Sequence, residues 1–323
     1  MLKHFLSALF PITACATVSF ALQVNAQTGI SEIRGGQATP NKSYASVGSY
    51  GLVFEGSESG EGINAQGTPY AFDSMDLCNV TLIAPDLVIT GARCVVEKKG
   101  NRYKKSERTA HAVFIKGNQS PELFFLDNPM FNPQELKDKG VIIRKLLPEN
   151  IVFHPSVLKD LNTFDRIKHV GLAVIKLDKP IYAIKPAKLA DKERVNAIKP
   201  GDILVTAGFG ELNTNGDTPA QIHKARLPVK PFGQCNRDVI KAGEGPIHPS
   251  QICLNAENKS TCPGDVGAPL FVSNKNGEKL LVGIYNFVWK NGDNPVSCQD
   301  EAWSSYTKLS EVSAWIDSFR KSK

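Results

Sequence analysis

Cys262-Pro263-Gly264-Asp265-Val266-Gly267-Ala268-Pro269-Leu270 is the stretch whose reading decides this chain. Turn-forming residues surround one branched apolar side chain, with a carboxylate, Asp265, immediately before it. Val266 carries no proton to give up and no lone pair to attack with, so the centre of the loop holds no nucleophile. What the loop belongs to is decided by the segments on either side of it.

The 323-residue chain is 41% hydrophobic and 22% charged, which suits a folded protein long enough to bury a large core. Met1-Leu2-Lys3-His4 and the apolar run that follows, 5–21, read as a secretory signal. Val24-Asn25-Ala26 is its small-residue cleavage site, so residues 1–26 are the signal and Gln27 begins the mature chain. Ile12-Thr13-Ala14-Cys15 also has the form of a bacterial lipoprotein box, but the apolar stretch runs well past Cys15, which argues against lipidation. Nothing later matches the roughly 20 apolar residues of a membrane span. The expectation is a secreted chain, extracellular or, in a bacterium, periplasmic. Without Lys3 and Cys15 it carries 37 basic against 32 acidic side chains, a net +5, and six cysteines. An even cysteine count in an exported chain implies disulfides, and composition alone leaves their connectivity open. Much of the positive charge sits in Lys98, Lys99, Arg102, Lys104, Lys105 and Arg108, on what reads as a surface loop. A solvated loop is preferred there to a polyanion site.

Short apolar runs recur between turn residues, at 80–83, 87–90, 111–115, 172–177, 203–207 and 280–284. Each has strand length and several are β-branched, which argues for an antiparallel all-β body. Residues 55–76, rich in Gly, Ser and acidic side chains, read as a long exposed loop. Residues 97–148 hold the basic cluster and a short helix at 133–139. Val312, Trp315, Ile316 and Phe319 have the spacing of an amphipathic C-terminal helix packed on the body. Of the glycosylation sequons, Asn41 and Asn118 are the expected acceptors, whereas Asn79, beside a cysteine in an inner strand, is expected to stay unmodified.

Several further segments resemble, in order, those of the chymotrypsin- and trypsin-like serine proteases. Ile33-Arg34-Gly35-Gly36 is similar to their mature start, and Thr90-Gly91-Ala92-Arg93-Cys94 to the histidine loop, usually Thr-Ala-Ala-His-Cys. His154-Pro155 and Gly171-Leu172-Ala173-Val174-Ile175-Lys176-Leu177 resemble the aspartate strand. Ala207-Gly208-Phe209-Gly210, Ile252-Cys253, Gly283-Ile284 and Tyr306-Thr307-Lys308 continue the match, and the opening stretch resembles the nucleophile loop, usually Gly-Asp-Ser-Gly-Gly-Pro. The resemblance implies an all-β fold of two six-stranded antiparallel β-barrels with a C-terminal α-helix. After a short pro-like segment at 27–32, the domain would span 33–320. Its first barrel would be about 33–182, its second about 183–309, and its helix about 310–320. It also implies the pairs Cys78–Cys94, Cys235–Cys253 and Cys262–Cys298.

The same resemblance makes the chemistry conspicuous by what is missing. A serine-protease triad needs a hydroxyl, a neutral imidazole and an orienting carboxylate. The matching positions hold Val266, Arg93 and Gly171. Arginine stays protonated and cannot act as a base. Loss of the nucleophile alone costs on the order of a million-fold in rate. His169, Asp165, His111, His154, His223 and His248 are poor substitutes, because rescue also needs a new nucleophile. The oxyanion hole survives as a remnant at the Gly264 and Val266 N–H groups. The specificity pocket would be lined by Ser260 at its base and by Asn286, Val288 and Ser304, the last two filling space that glycines usually leave open. Ile33 and Asp265 are the remnant of the activation pair, but Glu32 precedes Ile33 where a basic residue is usual. Asp265 reads as a local hydrogen-bonding residue, and Arg93 either points to solvent or pairs with a cleft carboxylate such as Asp265.

The function expected from these residues is a catalytically inactive, monomeric homologue that acts as decoy, cofactor or inhibitor by binding an unidentified protein, without cofactor, metal or nucleic acid. The alternatives are an anionic-polymer or cell-surface binder using the basic cluster and, last, an active endopeptidase using non-standard residues.

Overall fold

The computed structural model of the chain describes residues 36–55, 62–63, 69–72, 78–99, 102–117, 137–138, 140–160, 170–211, 221–243, 245–255, 259–262, 264–289 and 303–320. The signal and pro-like segments, Cys15, Ile33, Asn118, Asp165, His169 and Cys298 lie outside these, as do the side chains of Lys98 and Val288.

Two curled sheets make up the body. The first runs, in spatial order, through Val141–Leu146, Ala110–Ile115, Val47–Glu55, Cys78–Ala84, Leu87–Gly91, Leu172–Lys176 and Ile151–Phe153. The second runs through Gln37–Ala38, His223–Pro228, Ile203–Gly208, Pro269–Ser273, Lys279–Trp289, Trp303–Lys308 and Gln251–Leu254. These strands hold the expected apolar runs, and the architecture is that of the two-barrel chymotrypsin-like fold. Among the described residues the sheets count nine and eight strands, because short pieces extend the expected barrels. Gly62–Ile63 and Pro69–Phe72 form strands within the span expected to be an exposed loop, and Pro69–Phe72 pairs with Val47–Glu55. Lys188–Leu189 joins the second sheet in parallel, against an otherwise antiparallel pattern. The basic stretch also forms a hairpin, Val96–Lys99 against Arg102–Lys105, where a loop was expected.

Each curled sheet closes around apolar side chains, with Leu82, Phe114 and Ile175 buried in the first and Leu204, Leu270 and Val282 in the second. A third cluster joins the two bodies: Ile83, Ile89, Leu172 and Val174 meet Phe209, Phe271, Leu281 and Ile284. Apolar burial, worth about 25 cal/mol per Å², helps hold the barrels together across that seam. The ends of the chain cross it. Gln37–Ala38 pairs with the second sheet, and the helix Ser313–Arg320 sends Ile316 into the seam while Trp315 meets the His154 ring edge-on at 5.1 Å. The expected C-terminal helix is therefore present, preceded by a 3-10 turn at Leu309–Glu311.

A ten-residue helix, Phe232–Lys241, was not foreseen. Pro231 opens it, and Cys235 and Val239, one turn apart, form its buried face. The disulfide Cys235–Cys253 ties it to the strand Gln251–Leu254, and Cys78–Cys94 ties the strand Cys78–Ala84 to the turn that follows Leu87–Gly91. Cys262 is also disulfide-bonded, to a partner outside the described residues.

Candidate functional site

The strand Leu87–Gly91 ends where the chain must approach the opposite barrel closely. A Cβ on Gly91 would lie 2.6 Å from Val266 Cγ1, so only glycine lets that valine seat. Ala92–Val95 then turns as a 3-10 helix pinned by Cys94. Arg93 projects from this turn into solvent, and its charge acts on the Tyr285 hydroxyl. Among the described residues Arg93 makes no ion pair, with Asp265 or any other carboxylate.

Gly171 opens the strand Leu172–Lys176, and its carbonyl accepts from the Ala92 N–H at 2.7 Å. The volume a side chain would need there is taken. A Cβ on Gly171 would overlap Asn286 Oδ1 and sit 3.0 Å from its Cγ. Asn286 is buried, and its Nδ2 has no hydrogen-bond acceptor among the described residues. The glycine and the asparagine are thus a matched pair, 115 residues apart in sequence.

The 262–268 loop is held almost completely by hydrogen bonds. Asp265 N–H donates to the Cys262 carbonyl, Ala268 N–H to the Asp265 carbonyl, and Gly267 N–H to the Tyr285 carbonyl, all within 2.8–3.1 Å. Asp265 is fully buried, and its carboxylate accepts from the Cys262 N–H at 2.8 Å and the Gly210 N–H at 3.1 Å. Burial pushes its pKa up to about 7, against the pull of those two N–H donors. Gly208 and Gly210 leave room for this carboxylate, since a Cβ on either would crowd it. A free amine from Ile33, as the resemblance would supply, is the kind of partner that would hold it ionised.

From the other barrel, Asn79 engages every polar atom it has, two of them on the loop. Its N–H donates to the Val266 carbonyl at 2.7 Å and its Nδ2 to the Gly264 carbonyl at 2.8 Å. Its Oδ1 accepts from the Phe209 N–H at 2.9 Å, and its carbonyl accepts from Thr90 Oγ1 at 2.6 Å. Sequence reasoning saw in Asn79 only a sequon buried in an inner strand and missed this clamp. Val266 itself is half-buried and packs on apolar clusters of both barrels.

The segments expected to frame a pocket close on one another. Ser260, Thr261 and Ser304 are buried, and the Thr261 and Ser304 hydroxyls are 2.7 Å apart, joining the 260–262 segment to the strand Trp303–Lys308. Tyr285, also missed, lies between them: its hydroxyl bonds to Thr261 and its ring is 5.3 Å from that of Tyr306. Val288 stands opposite Ser304 in the strand register.

The histidines have other employment. Nδ1 of His154 accepts from the Ser156 N–H at 3.3 Å, and Nδ1 of His248 from the Ser250 N–H at 3.2 Å, so both cap local turns. Burial lowers the pKa of His223 to about 4. Asn41, an expected glycan acceptor, is instead buried, its Oδ1 accepting from the Ile222 N–H at 2.8 Å; a glycan there would have to displace that packing. In the basic hairpin, Lys104 bridges Glu97 at 3.0 Å and Glu107 at 2.6 Å, and Arg108 lies 3.5 Å from Glu97. Lys99 and Arg102 are exposed. No helix among the described residues is long and apolar enough to cross a membrane.

The family model for trypsin matches residues 60–316. The chain belongs to the trypsin family. Among its relatives is human chymotrypsin-like elastase family member 3A, 31% identical over 247 residues, 74% of this chain and 76% of the relative. Bovine proproteinase E is 28% identical over 250 residues, covering 74% and 82%. Rat granzyme-like protein 1 is 23% identical over 259 residues, covering 77% and 82%.

Proposed function

We propose that this member of the trypsin family does not cleave peptide bonds and acts by binding protein through the cleft between its barrels. The observation that carries the reading is the Gly171–Asn286 pair. On this reading Arg93 and Val266 each remove a reacting group, and the filled space at Gly171 supports a site rebuilt around the loss. Tyr285 between the pocket segments supports the same conclusion, because a substrate side chain would find that volume occupied. The relatives' names describe proteases. This chain keeps their barrels and the tight loop while changing the groups that would do the chemistry. Export to an oxidising compartment, consistent with the disulfides, and action as a monomer, decoy, cofactor or inhibitor belong to the same reading.

Reversion tests it. The triple variant Arg93→His, Gly171→Asp, Val266→Ser is expected to stay inactive against a broad peptide library, because the new carboxylate meets Asn286. Cleavage of the library by the unaltered mature chain would sink the reading.

A further inference from the structure

The loop's own bookkeeping of donors and acceptors leaves a remainder. The carbonyls of Cys262, Gly264, Asp265 and Val266 all accept hydrogen bonds. The N–H groups of Cys262, Asp265, Gly267 and Ala268 all donate. Gly264 and Val266 keep N–H groups that donate to nothing among the described residues, and both residues are half-buried rather than enclosed. In the planar trans peptide joining Asp265 to Val266, the carbonyl is turned in to the Ala268 N–H, so the Val266 N–H points the opposite way. Asn79 fixes this arrangement from the other barrel, holding the Gly264 and Val266 carbonyls together.

The turn that touches this loop carries a permanent cation, whose charge acts on Tyr285. Arg93 is exposed, free of ion pairs among the described residues, and one residue from Cys94, whose sulfur lies 3.6 Å from the Val266 carbonyl. A neutral imidazole there would suit proton transfer, whereas a guanidinium suits an anion. The nearby carboxylate, Asp265, is buried behind the loop and bound to two N–H groups, so it does not neutralise Arg93.

We propose that the cleft is a carboxylate receptor, in which the Val266 and Gly264 N–H groups and the Arg93 guanidinium together hold the carboxylate of a peptide, carried on a chain end or on an acidic side chain. This rests on the binding reading above and names the chemistry of the partner at that site. Backbone N–H groups and an arginine match the two oxygens of a planar carboxylate, and none of the three needs to titrate to do so. With Tyr285 filling the adjacent interior, the residue bearing a chain-end carboxylate must be small.

The test is a titration of the isotope-labelled mature chain, followed by the Gly264 and Val266 amide resonances. The probes are N-acetyl-tetra-alanine with a free carboxylate, its carboxamide, and an amidated alanine peptide with a central aspartate. At least one acid is expected to shift both resonances saturably, and the carboxamide to leave them in place. Arg93→Gln, an exposed substitution, is expected to weaken that binding by roughly tenfold or more, with affinity falling as salt rises. Which acid binds identifies the source of the carboxylate. Equal shifts by acid and carboxamide, no shift by either acid at millimolar concentration, or binding indifferent to Arg93→Gln would each overturn the receptor. If the probes stay uncut in those cases, the binding reading survives; hydrolysis of the carboxamide probe would instead remove that reading itself.

Discussion

The 262–268 loop and the hairpin at 96–105 adjoin the same disulfide, Cys78–Cys94, yet are built on opposite physics. In the loop, four carbonyls, four N–H groups and a buried carboxylate are engaged, partly by Asn79 from the other barrel. The hairpin is a two-stranded ribbon whose visible ties are Lys104 with Glu97 and Glu107, and Arg108 with Glu97. Ion pairs of that kind, still partly open to solvent, contribute little, whereas buried donors and acceptors are costly to orphan. The loop carries an apolar side chain, Val266, at its centre, and these bonds fix its geometry, so its shape is what the fold maintains. The hairpin is free to vary in charge without disturbing that shape.

The sharpest way to break this contrast is Gly267→Ala. Gly267 has φ +87°, and a Cβ there would overlap the Asn79 carbonyl and Thr90 Oγ1. Chemical denaturation is expected to show a loss on the order of 3 kcal/mol or no folded protein; an unchanged midpoint would mean that the loop is not under this constraint. Asn79→Ala comes next. It orphans the Phe209 N–H and the Gly264 carbonyl inside the protein, for an expected loss of about 2–4 kcal/mol in the same measurement.

Asp265→Asn probes the loop through pH. The folded carboxyl titrates near pH 7 and the unfolded one near 3.8, so between these values the native state holds a proton that the unfolded state has released. That contribution is fully present below the unfolded value and disappears as pH rises through about 7. Melting temperature measured against pH should therefore fall more with rising pH across this window in the parent than in Asp265→Asn. His223, lowered to about 4 by burial, acts in the opposite sense: its contribution is present above about 6.5 and lost as pH falls, and it cancels between the two proteins. A parallel pair of pH profiles would contradict the buried-carboxyl account. The smallest effect is expected from Lys99→Ser with Arg102→Ser, which should change stability by less than about 0.5 kcal/mol. It should also leave retention on a heparin column almost unchanged, as expected of a solvated ribbon that binds no polyanion; a steep, salt-dependent loss of retention would restore the anionic-polymer reading.

Most of the fold was legible because strand-length apolar runs and cysteines announce themselves locally. Arg93, Gly171 and Val266 were legible for a similar reason: each stands at a fixed place in a short segment, and its side-chain chemistry is its own. Asn286, Asn79 and Tyr285 were not, because their meaning lies in neighbours far along the chain. Nothing near Asn286 says that it occupies the space beside Gly171, and nothing near Asn79 points to Gly264 or Phe209. The hairpin at 96–105 was hidden by its charge, since a ribbon with polar residues on both faces has no alternation to read. The helix Phe232–Lys241 buries only Cys235 and Val239 toward the body, too few for an obvious helical stripe.

The central claim, that no serine of this cleft is activated for attack, is tested most directly by treating the purified mature chain with a fluorophosphonate and measuring its intact mass. The account predicts an unmodified chain, alongside full labelling of an active family member treated in parallel. A stoichiometric adduct on a single serine would contradict it.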